Sequence, residues 1–406
     1  MRISTSLFFQ TGLNSINQQQ ADLVRIFQQI GSGQRMVNPS DDPLAAAQSI
    51  SLEQSRSMNA RFGENRAVAM RNLGEEENIL NAVTVQLQSV KTRLVEVGNG
   101  ALSDSDRHTL ATVLQSSLDT LVGLGNSKDG SGQYLFSGAK GDTAPFDTSS
   151  YVYNGDTTQR FIQVEQTRQL DSADHGNDIF MRANPGASVY VSSASGTNAG
   201  TGVVGAPSLD TPSVNNGATY ELTFNADGTY NVKWGADELQ NQALPEADKN
   251  GVRRLSLPDG ASVQLSGVPQ AGDSFTVELA SKSGMNLFKT LSFMIEALAL
   301  PQTGSETNQA QFRNILNTTM QHMDQHYDNV LTVRSSVGTR MNELDALSAN
   351  GNLRNLSYRQ ELSRLQDVNY YEASTQLELR KSALEAAAMA FRKIQSTNLF
   401  TMNSRG

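Results

Sequence analysis

The spacing of apolar residues divides the chain into three blocks. In the first block, which extends to about residue 138, apolar residues recur at alternating steps of three and four, as in helices that pack as coiled coils. Before Gly31 and Gly33, which interrupt the pattern, the members of this seam are Leu13, Ile16, Gln20, Leu23, Phe27 and Ile30. The pattern therefore predicts a first helix that ends near these glycines.

A second, much longer helix is predicted from residue 43 to about residue 97. It follows a turn-forming segment, and Asp42 can cap a helix that has Pro43 at its first position. Its clearest seam consists of Leu80, Val83, Leu87, Val90, Leu94 and Val97. At about 1.5 Å per residue, this helix would be roughly 80 Å long. Gly98 and Gly100 end it, and Ser103 or Ser105 would cap a third helix.

The middle block, about residues 139–283, changes to a period of two and is rich in Gly, Ser, Thr and Asn. Apolar residues alternate with polar ones on both sides of the turn 225–228, which predicts a β-hairpin. A further strand is predicted around Phe275 and Leu279. The segment from Ser192 to Gly205 has no periodicity, and we expect a loop there.

The last block returns to helical spacing. A heptad seam contains Leu316, Met323, Val330, Val333, Val337, Leu344 and Leu347. Asn350-Gly351 is expected to break this helix. A final helix carries Leu377, Leu384 and Phe391 at intervals of seven, with Ile394 three residues later.

Together these elements predict a mainly α fold with an inserted β domain: a coiled-coil-like helical rod from both termini and a β-rich head in the middle. The predicted terminal assembly helices are residues 1–43 and 353–406, which would be disordered in the monomer. The predicted rod consists of residues 44–139 and 284–352, and the predicted outer domain of residues 140–283. The inner seams are expected to pack within one chain. The terminal seams have no thick core to join, which favours assembly between subunits. The predicted assembly interface comprises Leu13, Ile16, Leu23, Phe27, Ile30, Leu377, Leu384, Phe391 and Ile394.

Composition narrows the classes of function. The net charge of -9 argues against nucleic acid as a partner, and the absence of cysteine excludes disulfides and thiol chemistry. No apolar stretch approaches the length of a membrane span, and Leu7-Phe8-Phe9 is too short for a signal-peptide core. These signals alone would indicate a cytoplasmic protein without a membrane partner.

Few residues suggest chemistry. His322 and His326 have a spacing that can bind zinc on a helix, but no third ligand is evident, and His326 also fits the apolar seam. Asp41-Asp42 fits a helix cap better than a catalytic pair. The run 75–77 of three glutamates indicates a solvated helix face or a contact for a basic partner. The glycine-rich segment 128–132 lacks the order of a phosphate loop. We therefore predict no catalytic, cofactor or metal site, and no enzyme.

Two separated segments resemble the family of flagellins and their hook-associated relatives. The N-terminal segment contributes Ser32, Gly33 and Arg35, followed by Pro39, Ser40, Asp41, Asp42 and Pro43, where filament flagellins usually have Ala-Lys-Asp-Asp-Ala. The C-terminal segment contributes Gln366, Asp367 and Tyr370, with Asn369 where Asp is common in the family. The resemblance covers about the first 140 and last 120 residues well and the middle poorly. The proline-containing form is similar to the junction members of the family.

The resemblance implies an extracellular subunit at the hook–filament junction of the bacterial flagellum. Its implied partners are further copies of itself in a ring of the axial tube, hook-associated protein 1, flagellin, and an export chaperone at the C-terminal helix. It also implies secretion by the flagellar type III apparatus without a cleaved signal peptide. Two alternatives stay open: a filament flagellin, and a surface adhesin that binds glycans through Trp234, Tyr220 and Tyr230.

Overall fold

The structure, a computed structural model, describes residues 5–100, 102–209, 217–300 and 305–396. Long helices flank a β-rich middle, which confirms the predicted fold class. The helices are α1 (Thr5–Ser32), α2 (Pro43–Val97), α3 (Asp104–Gly125), α4 (Gly176–Phe180), α5 (Leu287–Ala299), α6 (Glu306–Gln366) and α7 (Tyr370–Ser396). The predicted starts of α2 and α3 are confirmed: Asp42 Oδ1 accepts a hydrogen bond from the Ala45 amide at 3.0 Å, and Ser103 forms a capping box with Asp106.

The chain forms two compact units. The first contains the described residues up to 64 and from 346 onward, and the second contains residues 65–345. Helices α2 and α6 contribute residues to both units. In the second unit, the predicted inner seams are buried within one chain. Fully buried members are Leu80, Val83, Leu87, Val90, Leu94, Met323, Val330, Val337 and Leu344.

The predicted break at Asn350-Gly351 is wrong, because α6 continues through both residues to Gln366. Glycine inside a helix costs only about 1 kcal/mol relative to alanine. Packing within the first unit outweighs that cost: Gly351 is buried, and its carbonyl accepts a hydrogen bond from the Asn59 side-chain amide at 2.9 Å.

Eleven strands occupy the middle of the described chain. They are β1 (Phe161–Gln163), β2 (Gln169–Asp171), β3 (Tyr190–Ala194), β4 (Val203–Val204), β5 (Ser208–Leu209), β6 (Tyr220–Phe224), β7 (Thr229–Trp234), β8 (Asp237–Ala243), β9 (Val252–Ser256), β10 (Ala261–Ser266) and β11 (Ser274–Leu279). A 3₁₀ turn spans Pro258–Gly260. An antiparallel five-stranded sheet has the order β3-β11-β6-β7-β8, while β10 pairs with β4, β5 and β9 in a second sheet, and β1 pairs with β2.

The predicted hairpin is confirmed as β6–β7, in which Tyr220 pairs with Trp234 and Phe224 with Tyr230. The apolar sides of the two larger sheets share one core. Tyr220 is fully buried in it, Tyr230 is 4% exposed, and Trp234 packs against the same cluster. These three side chains therefore do not form the exposed aromatic platform that the adhesin alternative requires.

The expectation of a loop over Ser192–Gly205 is wrong at both ends, since β3 reaches Ala194 and β4 lies at Val203–Val204. Polar residues replace the apolar alternation there, and their hydrogen bonds are satisfied by α6 and by the chain that follows β4. The Ser192 amide donates to Gln321 Oε1 at 2.9 Å, and the Ser192 hydroxyl donates to the Gly205 carbonyl at 2.8 Å.

An aromatic cluster joins the segment before β3 to α5. The apolar spacing of the sequence did not predict α5 as a helix separate from α6. The ring of Phe146 lies 4.9 Å from that of Phe288 and 5.4 Å from that of Phe180, between ring centroids. Phe136 adds a fourth buried ring. Residues before β3 thus share a core with helical elements.

Candidate assembly interface

Helices α1 and α7 pack against each other in the first unit. Arg380 of α7 reaches two residues of α1, at 3.3 Å from both Asp22 Oδ2 and Gln19 Oε1. Near the other end of the pair, a Cβ atom on Gly12 would lie 3.2 Å from the Phe391 ring. Gly12 therefore lets the aromatic ring approach the α1 backbone closely.

The described side chains of the predicted α7 seam lie on the side that faces α1. Leu377, Leu384 and Phe391 are all partly buried, and they share a helix face with Arg380 and the buried Ala373. The side chain of Ile394 lies outside the described residues. The seam is thus a contact between two helices of one chain.

The predicted α1 seam divides into two faces. Ile16, Leu23 and Ile30 are partly buried and lie on the α7 side together with Ile26, which is 3% exposed. A second face, rotated by about 100°, is open to solvent. Its members Leu13, Asn17, Gln20, Val24, Phe27 and Gly31 are all exposed.

Helix α7 has a second face as well, on the side opposite to α1. Tyr371, Leu379 and Met389 are 85%, 65% and 60% exposed. With Thr375, Ser382 and Ala386 between them, these residues follow steps of three and four, as a packing seam does. Each terminal helix therefore presents one covered apolar face and one uncovered stripe, in which large apolar residues alternate with small or polar ones.

Sequence reasoning missed Ile26, Val24, Leu379 and Met389. A signal for them exists: Leu379 and Met389 recur at helical spacing with Tyr371, and Val24 is three residues from Phe27. The predicted seams contain the most hydrophobic residues at heptad spacing. In α1 these residues do not all lie on one side of the helix, because some face α7 and others face solvent.

The structure brings the two family-motif segments together, although residues 44–365 separate them in the sequence. The Arg35 amide donates to the Gln366 carbonyl at 2.7 Å, and Gln34 pairs with Asp367 as an antiparallel bridge. Ser32 and Gly33 lie at the same place, at the end of α1, and Tyr370 starts α7.

The remaining motif residues form the turn into α2. Asp41 Oδ2 accepts hydrogen bonds from the amides of Val37 and Asn38, at 3.1 and 2.9 Å, which stabilises the turn. Asp42 both caps α2 and lies 3.3 Å from Arg35 Nη2. Pro39 and Ser40 are exposed at the tip of the turn, and Pro43 is the first residue of α2. Asp42 therefore acts as a helix cap, and Asp41 stabilises the turn before it.

The two histidines of α6, His322 and His326, belong to the interior of the second unit. His326 is fully buried, and neither ring nitrogen has a hydrogen-bond partner among the described residues. Burial, together with nearby His322, lowers the pKa of His326 to about 3, and burial lowers that of His322 to about 4. Both imidazoles are thus neutral near pH 7. Within the described ranges, no group of three or more histidine or acidic side chains is arranged to hold a metal ion.

The glutamate run 75–77 is not the solvated face that charge patterning predicts. Glu76 is fully buried, and its carboxylate accepts a hydrogen bond from the Asp174 amide at 3.2 Å. Burial raises the pKa of Glu76 well above its usual range, Asp174 raises it further, and Arg340 opposes the shift. Glu77 pairs with Arg334 at 2.6 Å. The tertiary contacts of these residues could not be read from local sequence.

A cavity of about 660 Å³ lies between β3, α5 and α6 in the second unit. His322 and Thr290 line it, with the His322 Nδ1 atom 3.3 Å from the Thr290 hydroxyl. None of the described helices is long and apolar enough to cross a membrane.

Comparison with known proteins places the chain in a family. Residues 3–141 match the bacterial flagellin N-terminal helical region. Flagellar hook-associated protein 3 of Salmonella typhimurium is 30% identical over 403 residues, which cover 99% of this chain and 100% of that protein.

Solved structures agree with this match. The crystal structure of FlgL from Xanthomonas campestris is 29% identical with a TM-score of 0.66, covering 77% of this chain and 99% of its own. The flagellar junction protein FlgL from Legionella pneumophila is 29% identical with a TM-score of 0.63, covering 79% and 100%. With its paired terminal helices, joined motif segments and full-length similarity, the chain belongs to the flagellar hook-associated protein 3 family.

Proposed function

We propose that this chain is a structural adaptor of the bacterial flagellum, which joins the hook to the filament and is required for filament attachment and motility. The relatives are named as hook-associated or junction proteins. We infer that the chain acts by assembly and not by catalysis. A filament flagellin, which would share the architecture, is the less favoured reading of the same family.

The observation that carries this proposal is the uncovered apolar stripe on each terminal helix. Phe27 of α1 is 56% exposed and Leu379 of α7 is 65% exposed, although neighbouring residues on the covered faces are buried or partly buried. Full burial of one large apolar side chain contributes about 1.5–3 kcal/mol. A stripe of such residues has little purpose on a solvated helix pair and fits packing against neighbouring copies.

The proposed mechanism couples folding to assembly. The α1–α7 pair has only a narrow seam, and helices of this kind depend on tertiary packing for their stability. In the dilute monomer the terminal residues, about 1–43 and 353–406, would be largely disordered. Addition to the axial tube would order them, and burial of the uncovered stripes would offset the ordering entropy. The rod domain would then consist of residues 44–139 and 284–352. The outer domain would consist of residues 140–283.

The proposal extends to partners and location. Copies of the chain would form a ring, with hook-associated protein 1 on the hook side and flagellin on the filament side. An export chaperone would cover the C-terminal helix before secretion through the flagellar export apparatus, and Leu379 and Met389 offer an apolar surface for it. Leu384 and the other predicted seam residues would become stably packed when the tube assembles.

Deletion of the gene tests the function. We expect cells with hooks but without attached filaments, and flagellin released into the medium, as seen by electron microscopy and by immunoblotting of the medium. A plasmid copy should restore filaments and swimming. Normal filaments in the deletion strain would contradict the adaptor role, and abundant copies of this protein along the filament would favour a filament flagellin.

A further inference from the structure

The two motif segments are held together by their main chains. Between residues 33–35 and 366–368, the Arg35 amide donates to the Gln366 carbonyl at 2.7 Å and the Val368 amide donates to the Gly33 carbonyl at 3.0 Å. These two bonds enclose the facing residues Gln34 and Asp367. The contact thus depends on backbone geometry and tolerates many side chains at its centre.

Gly33 provides the conformation that this contact needs. Its φ of +71° lies in the left-handed region, which costs other residues about 1–2 kcal/mol. A Cβ atom at this position would also lie 3.3 Å from the Tyr370 hydroxyl. Because Tyr370 is the first residue of α7, the end of α1 and the start of α7 meet at one glycine.

The same few residues connect to two further helix ends. The helical hydrogen bonds of α6 continue to Asp367, whose amide donates to the Ser363 carbonyl at 2.9 Å. Asn369 then caps α7, with its carbonyl accepting from the Ala373 amide at 2.9 Å. On the other segment, Arg35 contacts Asp42 at the start of α2. The end of α1 and the start of α2 therefore lie within about ten residues of one segment, and the end of α6 and the start of α7 lie within a few residues of the other.

We propose that residues 33–35 and 366–368 form a clasp that makes α1 and α7 order as one unit. This inference rests on the proposed function, because it states how the two terminal helices become available for assembly together. A closed clasp fixes the end of α1 relative to the start of α7. This removes most of the chain entropy that opposes their pairing and leaves only helix propagation. An open clasp leaves two separate segments, neither of which has a partner.

The clasp can be locked chemically because the chain contains no cysteine. Gln34 and Asp367 form a pair without mutual hydrogen bonds, for which antiparallel strands place the Cα atoms about 4.5 Å apart. This distance lies within the range that a disulfide spans. The double variant Gln34→Cys/Asp367→Cys should therefore oxidise readily to an intramolecular disulfide.

The test compares amide hydrogen exchange of the purified full-length monomer in two forms, the oxidised double variant and Gly33→Ala without cysteines. We expect exchange in both α1 and α7 to be slower in the locked form, by roughly tenfold or more, because a disulfide removes loop entropy from the open state. Slower exchange in only one of the two helices, or in neither, would overturn the coupling.

Two further measurements control for geometry. Adding Gly33→Ala to the double variant should slow disulfide formation several-fold, whereas adding Gly31→Ala should not, because a Cβ atom at Gly31 would meet no atom within 4 Å. Equal rates in both would show that Gly33 does not set the clasp. The monomer needs neither hook nor filament, so a failed complementation of swimming leaves these results unaffected.

Discussion

At the scale of single residues, a buried histidine makes stability depend on pH. The ordinary pKa of histidine is about 6.5, and burial lowers that of His326 to about 3. The unfolded chain therefore binds a proton below about pH 6.5 that the folded chain excludes. The contribution of His326 to stability is complete above this pH and is lost as the pH falls toward 3.

Replacing His326 by methionine should remove this dependence. As the pH falls from 7 to 5, the parent protein should lose stability and His326→Met should not, so the difference between them should grow by about 2 kcal/mol. This is the energy that corresponds to the roughly 1.5 pH units between the ordinary histidine pKa and pH 5. Urea unfolding at both pH values measures it. The exposed His108 supplies the control, since His108→Gln should leave the difference between the two pH values unchanged. An unchanged difference in His326→Met would show that the imidazole is hydrated in the folded state.

Glu76 acts in the opposite direction. Because burial raises its pKa, its contribution to stability is present below the ordinary carboxyl pKa and is lost as the pH rises. Glu76→Gln keeps an acceptor for the Asp174 amide and removes the charge. We expect this variant to gain stability over the parent at pH 8 and to lose that advantage near pH 4, measured by thermal unfolding. Arg340 also forms an ion pair with Asp174 beside Glu76. A variant that is destabilised at pH 8 would show that this ion pair needs the Glu76 charge.

At the scale of elements, helix ends and inner seams could be predicted because local chemistry determines them. Asp42 with Pro43, and Ser103 with Asp106, are caps that residues a few positions apart create. The same local reasoning failed at Gly351, where the decisive contact comes from Asn59, nearly 300 residues away in sequence. Helix continuation there depends on tertiary packing, which overrides propensity.

The strand β8 shows a similar limit. Its residues Asp237–Ala243 are nearly all exposed and carry no apolar alternation, so no pattern predicted it. It is the last strand of the five-stranded sheet and pairs only with β7 among the described strands. Acidic side chains at Asp237 and Glu238 fit an edge that avoids pairing with other chains.

The two faces of α7 give different predictions for one kind of substitution. Leu379→Asp places a charge on the uncovered stripe, so we expect the monomer to unfold at the parent urea concentration while filament attachment is lost. Leu384→Asp places it on the partly buried α1 side, where an unpaired charge costs several kcal/mol once buried. In the monomer that is locked by the oxidised Gln34→Cys/Asp367→Cys pair, this variant should also speed hydrogen exchange in α1. Complementation of the deletion strain and exchange of the monomer measure the two effects.

Ser374→Asp is the matched control, since Ser374 is exposed on α7 and lies beside the uncovered stripe without belonging to either face. This variant should swim and should leave exchange in α1 unchanged. Swimming by the Leu379→Asp strain would show that the uncovered stripe makes no contact in the assembled flagellum.

At the scale of the whole molecule, the sequence predicted helices at both ends around a β-rich middle, but it could not show which middle residues share a core with the helices. Phe146 and Phe180 lie far from any apolar seam, yet their rings pack with Phe288 of α5. Such a cluster forms between segments more than 100 residues apart in sequence, and no local period encodes it. Its position determines which part of the middle block can be removed.

The two larger β sheets can be removed between two residues that pair with each other, one before the sheets and one after them. Tyr190 at the start of β3 pairs with Leu279 at the end of β11, and the Ala280 amide donates to the Val189 carbonyl at 2.9 Å. Two residues in a tight turn can bridge such a pair. We expect a variant with Asn-Gly in place of residues 190–279 to keep its helices and to restore swimming in the deletion strain.

A larger excision supplies the contrast. Replacing residues 140–282 by a Gly-Ser linker removes Phe146 and Phe180 and leaves Phe288 without its neighbours, and loss of one large buried aromatic side chain typically costs about 3–5 kcal/mol. The smaller excision removes the hydrogen bonds that β3 and β4 make to Gln321 and Asn314 of α6. Urea unfolding followed by the helical circular-dichroism signal should therefore show a moderate loss of stability for the smaller excision and a greater loss for the larger one. Equal stability of the two variants would mean that the aromatic cluster does not support the helices. Failure of the smaller variant to swim, although it folds, would assign the β sheets a direct part in joining hook to filament.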